Sequence, residues 1–290
     1  MKKRIFFISS GLIILALLIL NDFMGQRITI AGSWNNLVTF VFDDLIPPDW
    51  RVIESEECGF FCSAAWLGMW ETIKIAFVST VIGFVFAILI SVFAALNLSP
   101  IWVSLVARSV LAAMRTIPSI IWATLFLVAI GLGPVAGIFA MTFYTIGYLG
   151  KLQYEAIEGM QSAPLEAAKA MGMRRHEVAI YVAIPEVANH LISQLIFMFE
   201  YNVRHGTVLG LVGAGGIGLL IQTALISHQY SRVTALLIVI FVVVLVIEGI
   251  SMVARSFVTE EGDVKRPSWF TVFHTPRRAS RWHHSDDESE

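Results

Sequence analysis

Apolar residues run along this chain in long stretches that alternate with shorter polar segments. The six longest stretches lie at about residues 5–20, 72–96, 101–130, 135–149, 189–209 and 233–253. A helix needs roughly 20 apolar residues to cross a bilayer, and backbone polar groups in lipid must be paired within their own segment. The pattern therefore predicts an all-α polytopic membrane protein with six transmembrane helices.

Two of these stretches carry further signals. Pro118 interrupts the third stretch, and we expect it to kink that helix because proline removes a backbone hydrogen bond. The first stretch follows Met1-Lys2-Lys3-Arg4, as the apolar core of a signal peptide would, but no small-x-small cleavage pattern comes after Leu20. We therefore expect residues 1–21 to be a retained transmembrane helix, although it is short for a bilayer.

Composition supports the membrane class and argues against catalysis. Apolar residues make up 57% of the chain and charged residues only 14%, whereas a soluble domain carries about 25% charged residues. No nucleotide-binding P-loop is found, because Gly150-Lys151 is followed by Leu152, and no Ser-His-acid or metal-spaced cluster occurs. We expect a protein that is not an enzyme, with no metal, no cofactor of its own and no nucleic-acid partner.

The distribution of Lys and Arg predicts the orientation in the membrane. Residues 22–71 hold only two arginines, whereas both termini and segment 151–188 are rich in basic residues. We therefore place 22–71 outside and the termini and 151–188 in the cytoplasm of a multi-pass inner (plasma) membrane protein. Residues 72–257 form the core with five of the helices, and the polar tail 258–290 is predicted to be disordered.

Two cysteines lie in the predicted extracytoplasmic segment. Cys58 and Cys62 are close enough in sequence for a small disulfide-closed loop before the second span, and disulfides persist in that compartment. Two free thiols are the alternative.

A polar loop at 155–185 stands out from its apolar surroundings. Ser162-Ala163-Pro164-Leu165-Glu166 predicts a helix start with Ser162 as the capping residue and Pro164 in the first turn. Gly172 is expected to end this helix in a positive-φ conformation. A second helix is expected from Arg174 to Ala183, with Pro185 ending it. The small side chains of the first helix would let it sit in a groove of another protein.

This loop resembles the EAA loop of permease subunits in bacterial ABC importers. The resemblance lies in Glu166, Ala167, Ala168, Gly172, Ile184 and Pro185, with Val182 in place of the usual Ile. In that family the short helix docks into a cleft of the ATPase subunit and transmits its closure. The resemblance implies an ATPase-coupling surface made of Pro164, Leu165, Glu166, Ala167, Ala168, Met171, Gly172 and Pro185. On spacing alone, an ordinary amphipathic connector is the alternative.

Wider stretches resemble the phosphonate importer permeases in particular. The similarity runs from about Pro47 to the end of the sixth span, most specifically in Gly131–Gly137, Lys151–Glu158 and Phe199–Gly218. It implies the importer-type ABC permease fold, working as a homodimer in membrane lipid. The implied partners are two ATPase subunits, which bind the ATP and Mg²⁺, and an extracytoplasmic binding protein. The implied cargo is phosphonate or a related phosphorus oxyanion. Phosphate, phosphite and a methionine-like solute are the alternatives.

A cluster of glycines follows the fifth span. Gly213, Gly215 and Gly218 fit G-x-G-x-x-G, but a membrane helix precedes them and no acidic residue follows about 20 positions on, so the dinucleotide-binding interpretation fails. On the predicted orientation the cluster, with Gly216, lies near the outer membrane face. Two interpretations stay open, tight helix packing and a non-helical, gate-forming turn beneath the binding protein.

Charged residues inside spans are costly and usually face a bundle interior or a cavity. The fifth span holds Glu200, Asn202 and Arg204. Glu200 and Arg204 are four residues apart and share a helix face, so they form either a structural ion pair or part of an anion path. In the third span, Arg115 (with Arg108) offers a positive exit near Pro118, with snorkelling or pairing to the 155–177 region as the alternative.

Overall fold

A computed structural model describes residues 10–19, 30–54 and 59–258. Within these ranges the structure is helical, with no β-strand. The predictions for Cys58, for the basic N-terminal residues and for the tail from 259 onward lie outside the described residues. The α-helices are α1 (Ser10–Ile19), α2 (Ile30–Thr39), α3 (Ala64–Ala94), α4 (Ile101–Thr116), α5 (Ser119–Ile130), α6 (Pro134–Glu158), α7 (Ser162–Ala170), α8 (Arg175–Val178), α9 (Ile184–Glu186), α10 (Ala188–Gly210), α11 (Gly216–Ile226) and α12 (Tyr230–Val258).

The predicted spans correspond to these helices. By length and composition, α3, α6 and α12 are able to cross a membrane, and two bent pairs bring the number to five. One pair is α4 with α5, bent by 86° at Pro118, which confirms the predicted kink. The other joins Arg175–Glu186 to α10 with a bend of 69°. Of the predicted first span, only the ten residues of α1 belong to the described part of the chain.

The second span begins earlier than hydropathy suggested. α3 starts at Ala64 instead of near Thr72, because the Ser63 side chain caps it by accepting a hydrogen bond from the Trp66 backbone N–H at 3.2 Å. Hydropathy detects where apolar residues begin, whereas a helix starts where its first backbone N–H groups find acceptors. The extra turns of α3 place Glu71 in a regular helix next to Thr72, and both side chains accept hydrogen bonds from the start of α11.

α3 lies at the centre of the bundle and packs along α6, with α10, α11 and α4 also against it. Small residues make the close crossings. A Cβ added to Gly147 on α6 would lie 2.7 Å from the backbone nitrogen of Arg115 on α4. Gly150 on α6 similarly faces the Leu111 side chain. Such contacts are typical of helices that associate in lipid, where backbones approach through small side chains.

The described part of segment 22–71 packs on the start of α12. Thr234 Oγ1 donates to the Leu45 carbonyl at 2.7 Å, and Arg232 pairs with Asp49 at 3.2 Å. The hydrogen bond from the Arg51 backbone N–H, aided by Arg232, lowers the pKa of the Asp49 carboxyl. Cys62, just before α3, is disulfide-bonded. Its pairing with Cys58 stays a prediction.

Candidate coupling loop and translocation path

The helix α7 of the polar loop at 155–185 has one anchored face and one open face. Leu165 and Ala168 are buried in an apolar cluster with Val178, Ala179 and Leu98. The other predicted coupling residues are more accessible, with Pro164 half-buried and Glu166, Ala167, Met171 and Gly172 exposed. The predicted coupling set therefore divides into residues that hold α7 on the bundle and residues that are available to a partner.

The start of α7 corrects one prediction. Gln161 occupies the capping position without a side-chain hydrogen bond, and Ser162 is already the first helical residue. Pro164 fits in the first turn because the N–H groups there lack intrahelical acceptors in any case. The predicted Ser162 cap was therefore wrong, although the helix and its proline are where the sequence placed them.

The end of α7 follows the prediction closely. Gly172 has φ of +75°, a conformation that glycine adopts without strain. Its N–H bonds to the Lys169 carbonyl at 3.0 Å, and the Met173 N–H bonds to the Ala168 carbonyl at 3.2 Å. These two bonds form a Schellman cap, which reverses the chain toward α8.

The return to the membrane differs from the predicted single helix. Ala179–Ala183 form a π-helical turn between α8 and α9. The helix continues through Pro185 to Glu186 and breaks at Val187, so Pro185 does not end it as predicted. A π turn bonds each N–H one residue further back, which relieves the clash that a proline makes with the preceding turn.

The base of the loop is braced by a cluster around Glu158, the last residue of α6. Its carboxylate accepts hydrogen bonds from Arg108 and from the Leu96 N–H. The Arg108 guanidinium also donates to the Ala94 carbonyl at 2.9 Å and lies 4.5 Å from the Tyr154 ring centroid. Arg108 therefore joins α3, α4 and α6, which favours the pairing alternative over a positive exit. Arg115, by contrast, ends α4 with an exposed side chain.

The membrane-embedded charges form a cluster of three. Glu200 is 4% exposed, and its carboxylate pairs with Arg204 at 2.5 Å and with Arg255 of α12 at 3.3 Å. The first pair confirms the predicted i,i+4 contact. The second was missed, because nothing in the sequence relates residues 55 positions apart. One carboxylate thus contacts two guanidinium groups, and the Arg204 side chain is 45% exposed.

Asn202 lies on the opposite side of α10. It is 1% exposed, and its side-chain amide donates to Thr80 Oγ1 at 2.8 Å and to Thr145 Oγ1 at 2.9 Å. These bonds join α3, α6 and α10 inside the bundle. Within this chain Asn202 is a helix-linking residue, and its place along a translocation path stays a prediction.

The glycine turn between α10 and α11 is non-helical. Gly213, Gly215 and Gly216 have φ of +98°, +83° and +71°. The side chains of α3 hold the start of α11, since Glu71 accepts from the Gly216 N–H at 3.2 Å and Thr72 from the Ile217 N–H at 3.0 Å. Three glycines in the left-handed region explain why this turn needs residues without a Cβ.

Gly218 has a different role from its neighbours in the motif. A Cβ at Gly218 would lie 2.7 Å from the Gly210 Cα and would also contact the Thr207 carbonyl. Gly218 and Gly210 therefore allow α10 and α11 to pack backbone to backbone. Close packing applies to Gly218 and also to Gly216, where an added Cβ would overlap Thr72 Oγ1. The non-helical turn lies at Gly213, Gly215 and Gly216, and its role as a gate stays a prediction.

A column of polar aromatic rings on α6 and α10 was not predicted. We call Tyr144, Tyr148, Tyr201 and His205 the aromatic column. Tyr201 stacks on His205 with centroids 4.5 Å apart, on Tyr144 at 6.0 Å and on Tyr148 at 6.1 Å. The Tyr144 and Tyr201 hydroxyls are 3.1 Å apart, and Tyr201 Oη is 3.3 Å from His205 Nε2. The i,i+4 spacing could have indicated the pair Tyr144 and Tyr148 on α6 and the pair Tyr201 and His205 on α10. Nothing in the sequence indicated that the two pairs contact each other.

The fold is that of an ABC importer permease. A chain of the MetNI methionine ABC transporter in an inward-facing conformation aligns with a TM-score of 0.60 at 23% identity. The alignment covers 67% of this chain and 95% of that chain. The predicted fold class is therefore confirmed.

Sequence comparison identifies the family. Residues 87–255 match the binding-protein-dependent transport system inner membrane component, and this chain belongs to that family of transport permeases. The phosphite transport permease PtxC of Stutzerimonas stutzeri is 37% identical over 64% of this chain and 68% of its own length.

Two further relatives carry related names. The phosphate-import permease PhnE of Mycolicibacterium smegmatis is 33% identical over 74% of this chain and 39% of its own length. The cryptic phosphonate transport permease PhnE2 of Escherichia coli (strain K12) is 38% identical over 40% of this chain and 95% of its own length. The resemblance found in the sequence is therefore confirmed.

Proposed function

We propose that this chain is the membrane subunit of an ABC importer that moves a phosphorus oxyanion, phosphonate or a close relative such as phosphite or phosphate, into the cytoplasm. The single observation that carries the proposal is the similarity to permeases named for phosphite, phosphate and phosphonate transport. An anionic cargo is supported by Arg204, whose guanidinium pairs with Glu200 and still has a side-chain exposure of 45%.

The open face of α7 is the proposed contact with the ATPase. Glu166, Ala167 and Met171 are exposed beside a helix end that Leu165 and Ala168 fasten to the bundle. A rigidly mounted helix can transmit movement of a partner to the membrane core. The partner ATPase would bind ATP and Mg²⁺, and its closure would pass through α7 to the Glu158 base.

We infer the assembly and orientation from the same features. Two copies of this chain, two ATPase subunits and an extracytoplasmic binding protein form the complete importer. Both termini and segment 151–188 lie in the cytoplasm, in agreement with the placement of Lys and Arg. The acidic segment 22–71 then faces the binding protein.

Uptake by the reconstituted importer tests the proposal. The complete complex, in proteoliposomes loaded with ATP, is supplied with its binding protein and with radiolabelled methylphosphonate, phosphite, phosphate or methionine. We expect ATP-dependent uptake of at least one phosphorus oxyanion. Uptake of methionine alone, or of none of the phosphorus compounds, would refute the proposed cargo.

A further inference from the structure

The surface of the membrane bundle is not uniform. Large exposed apolar side chains follow α3, α4, α5 and α12, as Phe86, Leu105, Leu125 and Phe241 illustrate. The middles of α6 and α10, both fully described, have none. On α6 no large apolar side chain beyond Phe139 is exposed, and on α10 none is exposed between Ile192 and Val208. These two helix middles therefore present a surface of a different chemical kind.

That surface is occupied by the aromatic column. Tyr144 and Tyr148 lie near the centre of α6, Tyr201 and His205 lie in the C-terminal half of α10, and all four side chains are half-buried. Their hydroxyl and imidazole groups contact one another. Polar groups at the centre of a span are costly in lipid, so a surface that carries them faces protein or a water-filled cavity.

A neighbouring charge favours the cavity. Arg204 immediately precedes His205, and its side chain is 45% exposed even though it pairs with Glu200. The guanidinium donors that Glu200 does not use require further partners such as water or an anion. We call the aromatic column together with Arg204, which precedes His205 in sequence, the polar strip.

The donors on this strip match a phosphorus oxyanion. Phenol hydroxyls and an imidazole N–H donate to oxygen, and a guanidinium suits the tetrahedral arrangement of oxygens. Neutral donors spread along a path also bind an ion weakly at several places, which lets it enter and leave. A set of unpaired cations would hold an anion tightly, and a permanently bound anion would block transport. A strip whose one arginine, Arg204, is partly neutralised by Glu200 is better suited to release the anion.

We propose that Tyr144, Tyr148, Tyr201 and His205 line the water-filled path of the assembled importer and pass the oxyanion along by hydrogen bonds, a proposal that rests on the proposed function. The occupant of this surface is the hydrated phosphorus oxyanion. A contact between the two permease copies is the competing occupant, and the experiments separate the two.

Thiol labelling in the complete importer tests the exposure to water. Tyr201→Cys is treated with a negatively charged, membrane-impermeant thiosulfonate reagent, and Phe241→Cys on the apolar face of α12 is the matched control. We expect Tyr201→Cys to react during ATP-driven cycling, and this reaction to be lost when saturating phosphite or methylphosphonate is supplied with the binding protein. Phe241→Cys should not react. Absence of labelling in every state, labelling without protection, or a spontaneous disulfide between two Tyr201→Cys copies would overturn the proposal.

Transport kinetics test the hydrogen bonds. Tyr201→Phe and His205→Gln keep size while removing or changing one donor, so the KM for the oxyanion should rise about tenfold, as expected for one lost hydrogen bond to a charged group. The control Tyr230→Phe, at the outer end of α12, should leave KM unchanged. If wild-type uptake is normal and both column variants keep the wild-type KM, this inference fails while the proposed function stands. If the wild-type importer takes up no phosphorus compound, the proposed function itself fails.

Discussion

The coupling loop and the α10–α11 region achieve their structures in opposite ways. In the coupling loop the turns are set by contacts between neighbours in sequence, such as the Gly172 cap and the bond from the Arg174 N–H to Glu177 at 2.6 Å, and distant residues only fasten the loop to the bundle. In α10–α11 the partners are distant, since Glu200 meets Arg255 and the Gly216 N–H meets Glu71. The comparison shows that a surface displayed to a partner can be encoded locally, whereas polar groups inside a membrane bundle must be satisfied by other helices.

The largest expected effect comes from removing the shared carboxylate. Glu200→Gln replaces the buried carboxylate that contacts Arg204 and Arg255 with a neutral amide. Weakening two charge-assisted hydrogen bonds costs on the order of 3 kcal/mol. We expect little assembled complex in detergent, as measured by size-exclusion chromatography. The double variant Glu200→Ala, Arg204→Ala should recover part of the assembly. If Glu200→Gln assembles normally, the cluster contributes little to folding, and the contrast between the two regions is lost.

A smaller loss is expected where α10 and α11 touch through glycine. Gly218→Ala places a Cβ 2.7 Å from the Gly210 Cα, and overpacking of this kind costs about 1–3 kcal/mol. The thermal unfolding midpoint of the complex should fall. Gly249→Ala on α12 is the matched control, because no atom lies within 4 Å of its added Cβ. Equal midpoints for the two variants would contradict the packing role of Gly218.

Variants on the open face of α7 should affect activity without affecting stability. The Glu166 side chain is exposed, so the effect of Glu166→Ala on the free energy of unfolding should stay below about 0.5 kcal/mol. We expect ATP hydrolysis by the complex to lose its stimulation by the loaded binding protein. The control is Leu165→Ala on the buried face, which should lower stability as well. If the loaded binding protein still fully stimulates ATP hydrolysis by the Glu166→Ala importer, the assignment of α7 as the contact with the ATPase is wrong.

The smallest expected effect is at the extracytoplasmic surface. Because the pKa of Asp49 is lowered from its ordinary value of 3.8, its ionised form stabilises the folded state above that pH, and this contribution is lost as the pH falls through the lowered value. Asp49→Asn should therefore flatten the pH dependence of the unfolding midpoint slightly below about pH 4. An unchanged pH profile would show that the Asp49–Arg232 contact contributes nothing measurable to stability.

The parts of the fold that were predictable depend on short-range information. Apolar length indicated six spans, of which the described helices give three, or five if each bent pair is one span, and Pro118 indicated the 86° bend. Gly172 indicated the end of α7. At Ser162 the capping rule failed because the helix begins one residue earlier than a serine cap requires, with Gln161 at the capping position and no side-chain hydrogen bond there.

The sequence by itself determined that this protein is a helical membrane permease with a short exposed helix, α7, between two spans, because hydropathy and helix caps act over a few residues. Only the tertiary structure decided which polar groups meet. It joined Glu200 to Arg255, placed Asn202 between Thr80 and Thr145, and stacked Tyr201 on the tyrosines of α6. In lipid each buried polar group requires a partner, and the packing of helices that are distant in sequence selects that partner.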